Sequence, residues 1–148
     1  MIITIKKNIL NASEDYIAHQ CNCVTHNAAG VAAQIFQKWS YADCYATRWE
    51  QDTPGTITMG LGEKNIINMF AQVYPGPPKD PNDPIDGFTA RKKYFIQCLK
   101  QIADMIPQKS RIAFPAGIGC GLAQGDPKFY EAALNKFAIN FDVTLYQI

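Results

Sequence analysis

Apolar residues fall along this chain in two patterns, short β-branched runs and longer stretches with three- and four-residue spacing. Residues 2–6, Ile-Ile-Thr-Ile-Lys, predict a strand, and residues 16–21 predict a second that ends in a polar turn. Asn27 is placed to cap a helix over 28–38, with Val31, Ile35, Phe36 and Trp39 near one face. Residues 41–50 are helical or irregular. Pro54-Gly55 breaks the chain before a strand at 56–61, and Gly62-Glu63 turns tightly into another at 64–72. Phe95, Leu99, Ile102 and Ile106 recur at helical spacing, so 88–106 is the clearest helix. A short buried strand follows at 111–114. Asp126-Pro127 is a helix start, an N-cap followed by proline at the first helical position. That helix runs to about residue 137 and buries Tyr130, Leu134 and Phe137, and 142–147 closes as a strand. Strands interleaved with helices predict an α/β fold, a sheet covered by helices on both faces.

Length and composition narrow the function classes. The 148 residues make one domain, 1–148, and with 47% hydrophobic and 18% charged residues the chain can bury a core. Formal net charge is +1. The densest basic group is only Arg91-Lys92-Lys93, so no stripe marks a nucleic-acid surface. No apolar run approaches the ~18 residues of a membrane span, and the N-terminus lacks a signal-peptide layout. The five cysteines are an odd count and read as reduced thiols, which places the protein in the cytoplasm. Tyr74 to Gly87 holds five of the nine prolines and reads as an exposed loop, either a lid or a plain surface excursion.

Two strand-to-helix loops carry the candidate chemistry, since ligands in such folds sit beyond the carboxyl ends of strands. In Pro115-Ala-Gly-Ile-Gly-Cys-Gly-Leu-Ala-Gln-Gly125, four glycines within nine residues let backbone N–H groups turn toward an anion such as a diphosphate. A simple tight turn explains the same residues equally well. The spacing fits neither G-x-x-x-x-G-K-[ST] nor G-x-G-x-x-G. In the other loop, Cys21-Asn-Cys-Val-Thr-His-Asn-Ala-Ala-Gly-Val-Ala33, small residues allow close approach to a helix start. Asn22 either reads a sugar hydroxyl or merely stitches the turn. Cys21-x-Cys23 is too tight for a zinc knuckle, and no cysteine is followed six positions on by arginine, as a cysteine phosphatase requires. Cys120 is either an activated thiol near a helix start or a small space-filler. His19 and His26 are acid–base candidates or structural residues, and Asp126 is a cap or a carboxylate at the rim of a site.

Taken together, these loops make the chain resemble a macrodomain, the ADP-ribose-binding module. Ile17-Ala-His-Gln-Cys-Asn22 with Ala29-Gly-Val-Ala32 is similar to that family's ribose loop, and Phe114-Pro-Ala-Gly-Ile-Gly-Cys-Gly-Leu122 with Asp126 to its diphosphate loop. Lys7-Asn-Ile-Leu10 resembles its adenine site, and Val143-Thr-Leu-Tyr-Gln-Ile148 is like the last strand of the branch holding terminal ADP-ribose glycohydrolases and ADP-ribose-1''-phosphate phosphatases. The resemblance implies a three-layer α/β/α fold with a mixed sheet of about six strands. It implies that Asn8 and Ile9 hold the adenine edge, that Tyr146 stacks on the ring, and that Asn22, Gly30 and Val31 contact the distal ribose. Gly117, Ile118, Gly119, Cys120, Gly121 and Leu122 would wrap the diphosphate.

The same resemblance separates activities. Glycohydrolases of the branch use a lysine after the fourth strand, and Asn68-Met-Phe-Ala-Gln-Val-Tyr-Pro75 has none; Lys79, on the proline loop, is a poor substitute. Phosphatase-like members carry a histidine where His19 stands. The reading is therefore an ADP-ribose-1''-phosphate phosphatase, with His19 or Asp126 as the base and the other assisting the leaving oxygen. A non-catalytic ADP-ribose reader is the alternative, and a de-ADP-ribosylating glycohydrolase the third. The ligand is a small molecule, ADP-ribose or its phosphorylated derivative. Nucleic acid enters only as an ADP-ribosylated substrate, and neither metal nor cofactor is expected.

Overall fold

In the computed structural model, which describes residues 2–148, six strands form one mixed sheet. They are β1 (Ile2–Lys6), β2 (Tyr16–Cys21), β3 (Ile57–Gly60), β4 (Asn65–Phe70), β5 (Arg111–Pro115) and β6 (Asp142–Gln147), in the order β1-β6-β5-β2-β4-β3. Neighbours run parallel except β3, which pairs antiparallel with β4 as the hairpin expected at Gly62-Glu63. Three helices, α1 (Gly30–Lys38), α2 (Phe88–Met105) and α3 (Pro127–Phe137), complete the expected three layers.

Strand periodicity divides the core between the two faces. Ala18, Ile67, Met69, Ile112, Phe114 and Val143 pack under α2 and α3, while Ile17, Ile66, Phe70, Ala113 and Tyr146 pack with α1. The central strands are buried on both faces, which is why they read as nearly continuous apolar runs. Each fully buried Ile or Phe contributes about 1.5–3 kcal/mol. Phe95 of α2 meets Tyr130 of α3 edge-on at 4.8 Å between centroids, fixing the two helices to each other.

Helix α1 departs from the expectation. It starts at Gly30 rather than at 28, and its N-cap is Ala29, with no side-chain capping bond. Asn27 does not cap; its carbonyl accepts the Thr25 hydroxyl at 3.0 Å. Gly30 has φ +58°, a left-handed entry that glycine adopts without strain. Val31 is correspondingly 38% exposed, and the buried face is Ala32, Ile35, Phe36 and Trp39. The segment 41–50 takes the irregular course, with a 3-10 turn at Ser40–Ala42.

The proline tract is a surface loop anchored at its base. Arg91, 1% exposed, pairs with buried Asp86 at 2.8 Å and donates to the carbonyls of Tyr74 (3.1 Å) and Gly76 (2.6 Å). Asp86 in turn accepts the N–H groups of Val73 and Tyr74.

Candidate active site

Because β2, β4 and β5 are parallel, the loops leaving their carboxyl ends meet along one edge of the sheet. A cavity of about 330 Å³ opens there, within the roughly 300–1,000 Å³ usual for small-molecule sites. Its walls come from the end of β2 with Asn22, the start of α1, Gln72 with Pro75 and Gly76, and the glycine loop from Pro115 to Ala123. Among the described residues lining it, none is Asp, Glu, Lys or Arg.

From Gly117 to Ala123 the glycine loop leaves most of its backbone N–H groups without a partner among the described residues. Ile118 and Cys120 spend their N–H groups on the local turns, donating to Pro115 and Gly117. The N–H groups of Gly117, Gly119, Gly121, Leu122 and Ala123 have no partner among the described residues, and all five residues line the cavity. Gly119 has φ +79°, and a Cβ there would stand 2.7 Å from the Tyr130 ring. Across the cavity, the first turn of α1 adds further N–H groups that no side chain caps. The start of α1 and a row of free amides can hold a diphosphate without a cation.

The Asn22 loop is satisfied internally. Asn22 Oδ1 accepts from the N–H groups of Val24 (3.0 Å) and Thr25 (2.9 Å), and its Nδ2 donates to Thr25 Oγ1 at 3.0 Å. Asn22 therefore stitches the turn and also lines the cavity. Arg48 braces this loop from behind, donating to the carbonyls of Asn22 (2.9 Å) and Thr25 (3.0 Å) while pairing with Asp52 at 3.0 Å. Its guanidinium lies 4.6 Å over Tyr45, whose hydroxyl accepts the Asn22 N–H. Neither Arg48 nor Tyr45 is evident from sequence. The Arg48/Asp52 spacing is the only hint.

His19 is in the cavity wall yet only 1% exposed. Asn68 Nδ2 donates to the Ala42 carbonyl at 3.0 Å, so Asn68 presents its oxygen to His19. His19 therefore donates from Nε2 at 2.7 Å, and Nδ1 is left as the acceptor, with the Cys21 Sγ 3.8 Å from it. Desolvation pulls its pKa down to about 4, against a smaller upward pull from Asn68. At neutral pH it is an uncharged imidazole with no proton to deliver as an acid. Asp126 is exposed, accepts from the Lys128 N–H at 3.1 Å, and is not among the lining residues. The structure does not bring the two expected catalytic groups together in this cavity.

Other expected residues divide similarly. Gly30, Val31, Gly117, Ile118, Gly119, Gly121 and Leu122 line the cavity, whereas Cys120 lines a second one of about 360 Å³ on the α3 side. Burial, with Asp126 nearby, raises the Cys120 pKa, so it is a thiol and not an activated thiolate. Asn8, Ile9 and Tyr146 lie outside the cavity. Asn8 caps the turn at Ile9–Asn11 through the Leu10 N–H, Ile9 is buried, and Tyr146 is 5% exposed with its hydroxyl on Glu14. Tyr146 keeps its ring in the core and offers no open face to a purine. Lys79 is exposed and is not among the lining residues, and no described group of three His, Cys, Asp or Glu is gathered as for a metal.

Two carboxamides at the strand ends were also missed. Gln72 Nε2 donates to the Tyr74 carbonyl at 2.9 Å, Gln20 Nε2 donates to Gln72 Oε1 at 2.6 Å, and buried Gln20 Oε1 has no partner among the described residues. Such an unsatisfied acceptor costs about 1–3 kcal/mol.

No family model matches the sequence, and no curated protein matches it. Solved structures do match in shape. A protein from Bacteroides thetaiotaomicron, 24% identical, covers all of both chains at a TM-score of 0.77. The macrodomain of Mycobacterium tuberculosis DarG, 19% identical, covers 100% of this chain and 98% of its own at 0.65. A Trypanosoma brucei macrodomain in complex with ADP, 14% identical, covers 99% of this chain and 63% of its own at 0.62. Its six-stranded mixed sheet with three helices superposes on these structures over nearly its whole length, so the chain has the macrodomain fold.

Proposed function

We propose that the protein binds ADP-ribose in the cavity at the carboxyl ends of β2, β4 and β5. One observation carries this reading: five unpartnered backbone N–H groups, from Gly117 to Ala123, line a cavity that has no charged side chain. A diphosphate satisfies them, with the distal sugar toward Asn22 and the start of α1. The ADP complex of the trypanosomal macrodomain supports a diphosphate nucleoside as the ligand class. Calorimetric titration with ADP-ribose should give saturable binding that is lost in Gly119→Ala. Failure of the wild-type protein to bind would end the proposal.

The catalytic form of the reading is hydrolysis of ADP-ribose-1''-phosphate, favoured by His19 in the cavity wall with Nδ1 as an acceptor. Water attacks phosphorus and gives up its proton to Nδ1 or to the phosphate. The P–O bond to the ribose 1''-oxygen breaks, that oxygen takes up the proton given up by water, and orthophosphate and ADP-ribose are released. A base whose conjugate acid has a pKa of about 4 is weak, and no lining group is charged to assist the leaving oxygen, so turnover is slow. Phosphate release that persists in His19→Asn would remove His19 from the chemistry. No release from a wild-type protein that binds ADP-ribose would leave the reader as the function.

A further inference from the structure

We infer that Cys44 and Cys21 form a peroxide-sensitive thiol pair, in which Cys44 is oxidised first and Cys21 closes a disulfide onto it. This modification site does not depend on the ADP-ribose reading. All five cysteines are free, but three have their S–H groups committed to backbone carbonyls. Cys23 donates to Gln72 at 3.3 Å, Cys98 to Thr56 at 3.4 Å and Cys120 to Ile118 at 3.5 Å. Cys21 and Cys44 instead hydrogen-bond to each other. Cys21 is the last residue of β2 and 1% exposed, and Cys44 packs half-buried against the same core cluster. Neither strand nor α-helix holds Cys44, which sits on a turn where Asp43 Oδ1 accepts the N–H groups of Tyr45 (2.9 Å) and Ala46 (3.1 Å). Its sulfur can therefore move the short way that bonding to Cys21 requires.

The two thiols have unequal roles. Burial raises the Cys21 pKa, so Cys21 keeps its proton and is the donor. The hydrogen bond from Cys21 lowers the Cys44 pKa against an upward push from burial, and the Arg48 charge adds to the lowering. Arg48 is fixed by the Asn22 and Thr25 carbonyls and by Asp52, yet its buried Nε–H has no partner among the described residues. Cys44 is thus the accessible nucleophile. Its sulfur attacks one oxygen of hydrogen peroxide, the O–O bond breaks, and the departing hydroxide takes up the proton Cys44 released, leaving a sulfenic acid and water. The Cys21 sulfur then attacks the Cys44 sulfur. The S–S bond forms, the S–O bond breaks, and the hydroxide leaves as water with the Cys21 proton. Asn22 and Tyr45, which follow the two cysteines in sequence, are joined by a 2.7 Å hydrogen bond and line the cavity, so the disulfide would form next to the cavity wall.

The test is to treat reduced wild-type protein with a slight excess of hydrogen peroxide at neutral pH, block the remaining thiols with N-ethylmaleimide, and digest it for mass spectrometry. The expected product is a peptide linking Cys21 to Cys44, formed roughly tenfold or more faster than Cys98 is oxidised, with Cys23, Cys98 and Cys120 recovered as blocked thiols. Dithiothreitol should return all five thiols. Cys21→Ala should stop at a Cys44 sulfenic acid that dimedone traps, and Cys44→Ser should leave Cys21 reduced. The wild-type digest decides even where a variant folds poorly. A disulfide from either residue to Cys23, a link between two chains, or oxidation of any other cysteine ahead of Cys44 overturns the inference. So does a Cys44 that stays a thiol, or one that passes to sulfinic acid while Cys21 remains reduced.

Discussion

Replacing Arg91 by Met removes the guanidinium that anchors the proline loop while keeping an aliphatic stem of similar length in place. Arg91 reaches Asp86 through Nε (3.1 Å) and Nη2 (2.8 Å), and also donates to the Asp86, Tyr74 and Gly76 carbonyls. Arg91 is 1% and Asp86 3% exposed, so the variant leaves a carboxylate buried with only the Val73 and Tyr74 N–H groups on it. Breaking a buried pair from one side costs about 3–5 kcal/mol. At roughly 2–4 °C per kcal/mol for a domain of this size, the melting temperature should drop by about 6–20 °C. Urea denaturation should show the midpoint falling with an unchanged slope. Asp86→Asn combined with Arg91→Met should recover part of the loss, because the uncompensated charge is gone. A loss below about 1 kcal/mol in the single variant would refute the view that the pair holds the wall carrying Pro75 and Gly76.

Other consequences can be measured on the same protein. Gly119→Ala forces a side chain into a left-handed backbone position and against Tyr130; it should cost about 1–3 kcal/mol, whereas Gly117→Ala, with φ +74° but open space, should cost less, and equal losses in urea denaturation would contradict the steric account. His19 titrates near pH 4 when folded and near 6.5 when unfolded, so the unfolded chain takes up the proton first as pH falls; stability present above pH 6.5 should decline by about 3 kcal/mol toward pH 4, and His19→Asn should flatten that slope. Asp126→Ala should cost about 0.5–2 kcal/mol as a lost N-cap while leaving ADP-ribose affinity nearly intact, read by denaturation and calorimetry. Cys44, whose pKa a hydrogen bond with Cys21 lowers, should be alkylated before Cys23 and Cys98, which burial pushes up to about 12; mass spectrometry of a partial iodoacetamide reaction decides.

Sequence pattern located the strands and α2 well because each carries an uninterrupted period, as Phe95, Leu99 and Ile102 show by being buried together. Asp126-Pro127 marked α3 because cap and proline are local signals. The start of α1 was misplaced for a tertiary reason: Asn27 is a good cap in isolation, but the loop uses its carbonyl for Thr25, and Gly30 enters the helix from the left-handed region. The glycine loop was legible as a row of backbone donors, since these need only glycine and a turn that leaves them unspent. The polar relay of Gln20, Gln72, Tyr74 and Arg91 was not, because it joins residues far apart in the chain through carbonyls that no side-chain pattern reveals. Burial of His19 and Tyr146 was equally hidden. Whether a strand residue faces solvent or core near a sheet edge depends on what the neighbouring loops cover.

The free amides of the glycine loop are the most direct test of ADP-ribose binding. A 15N–1H correlation spectrum of the wild-type protein, titrated with ADP-ribose, reads them one by one. Large shifts at Gly117, Gly119, Gly121, Leu122 and Ala123, with small ones at Ile118 and Cys120, whose N–H groups are already spent in the turn, are the predicted result. Saturation with the loop amides unmoved, or no saturation at all, would contradict it.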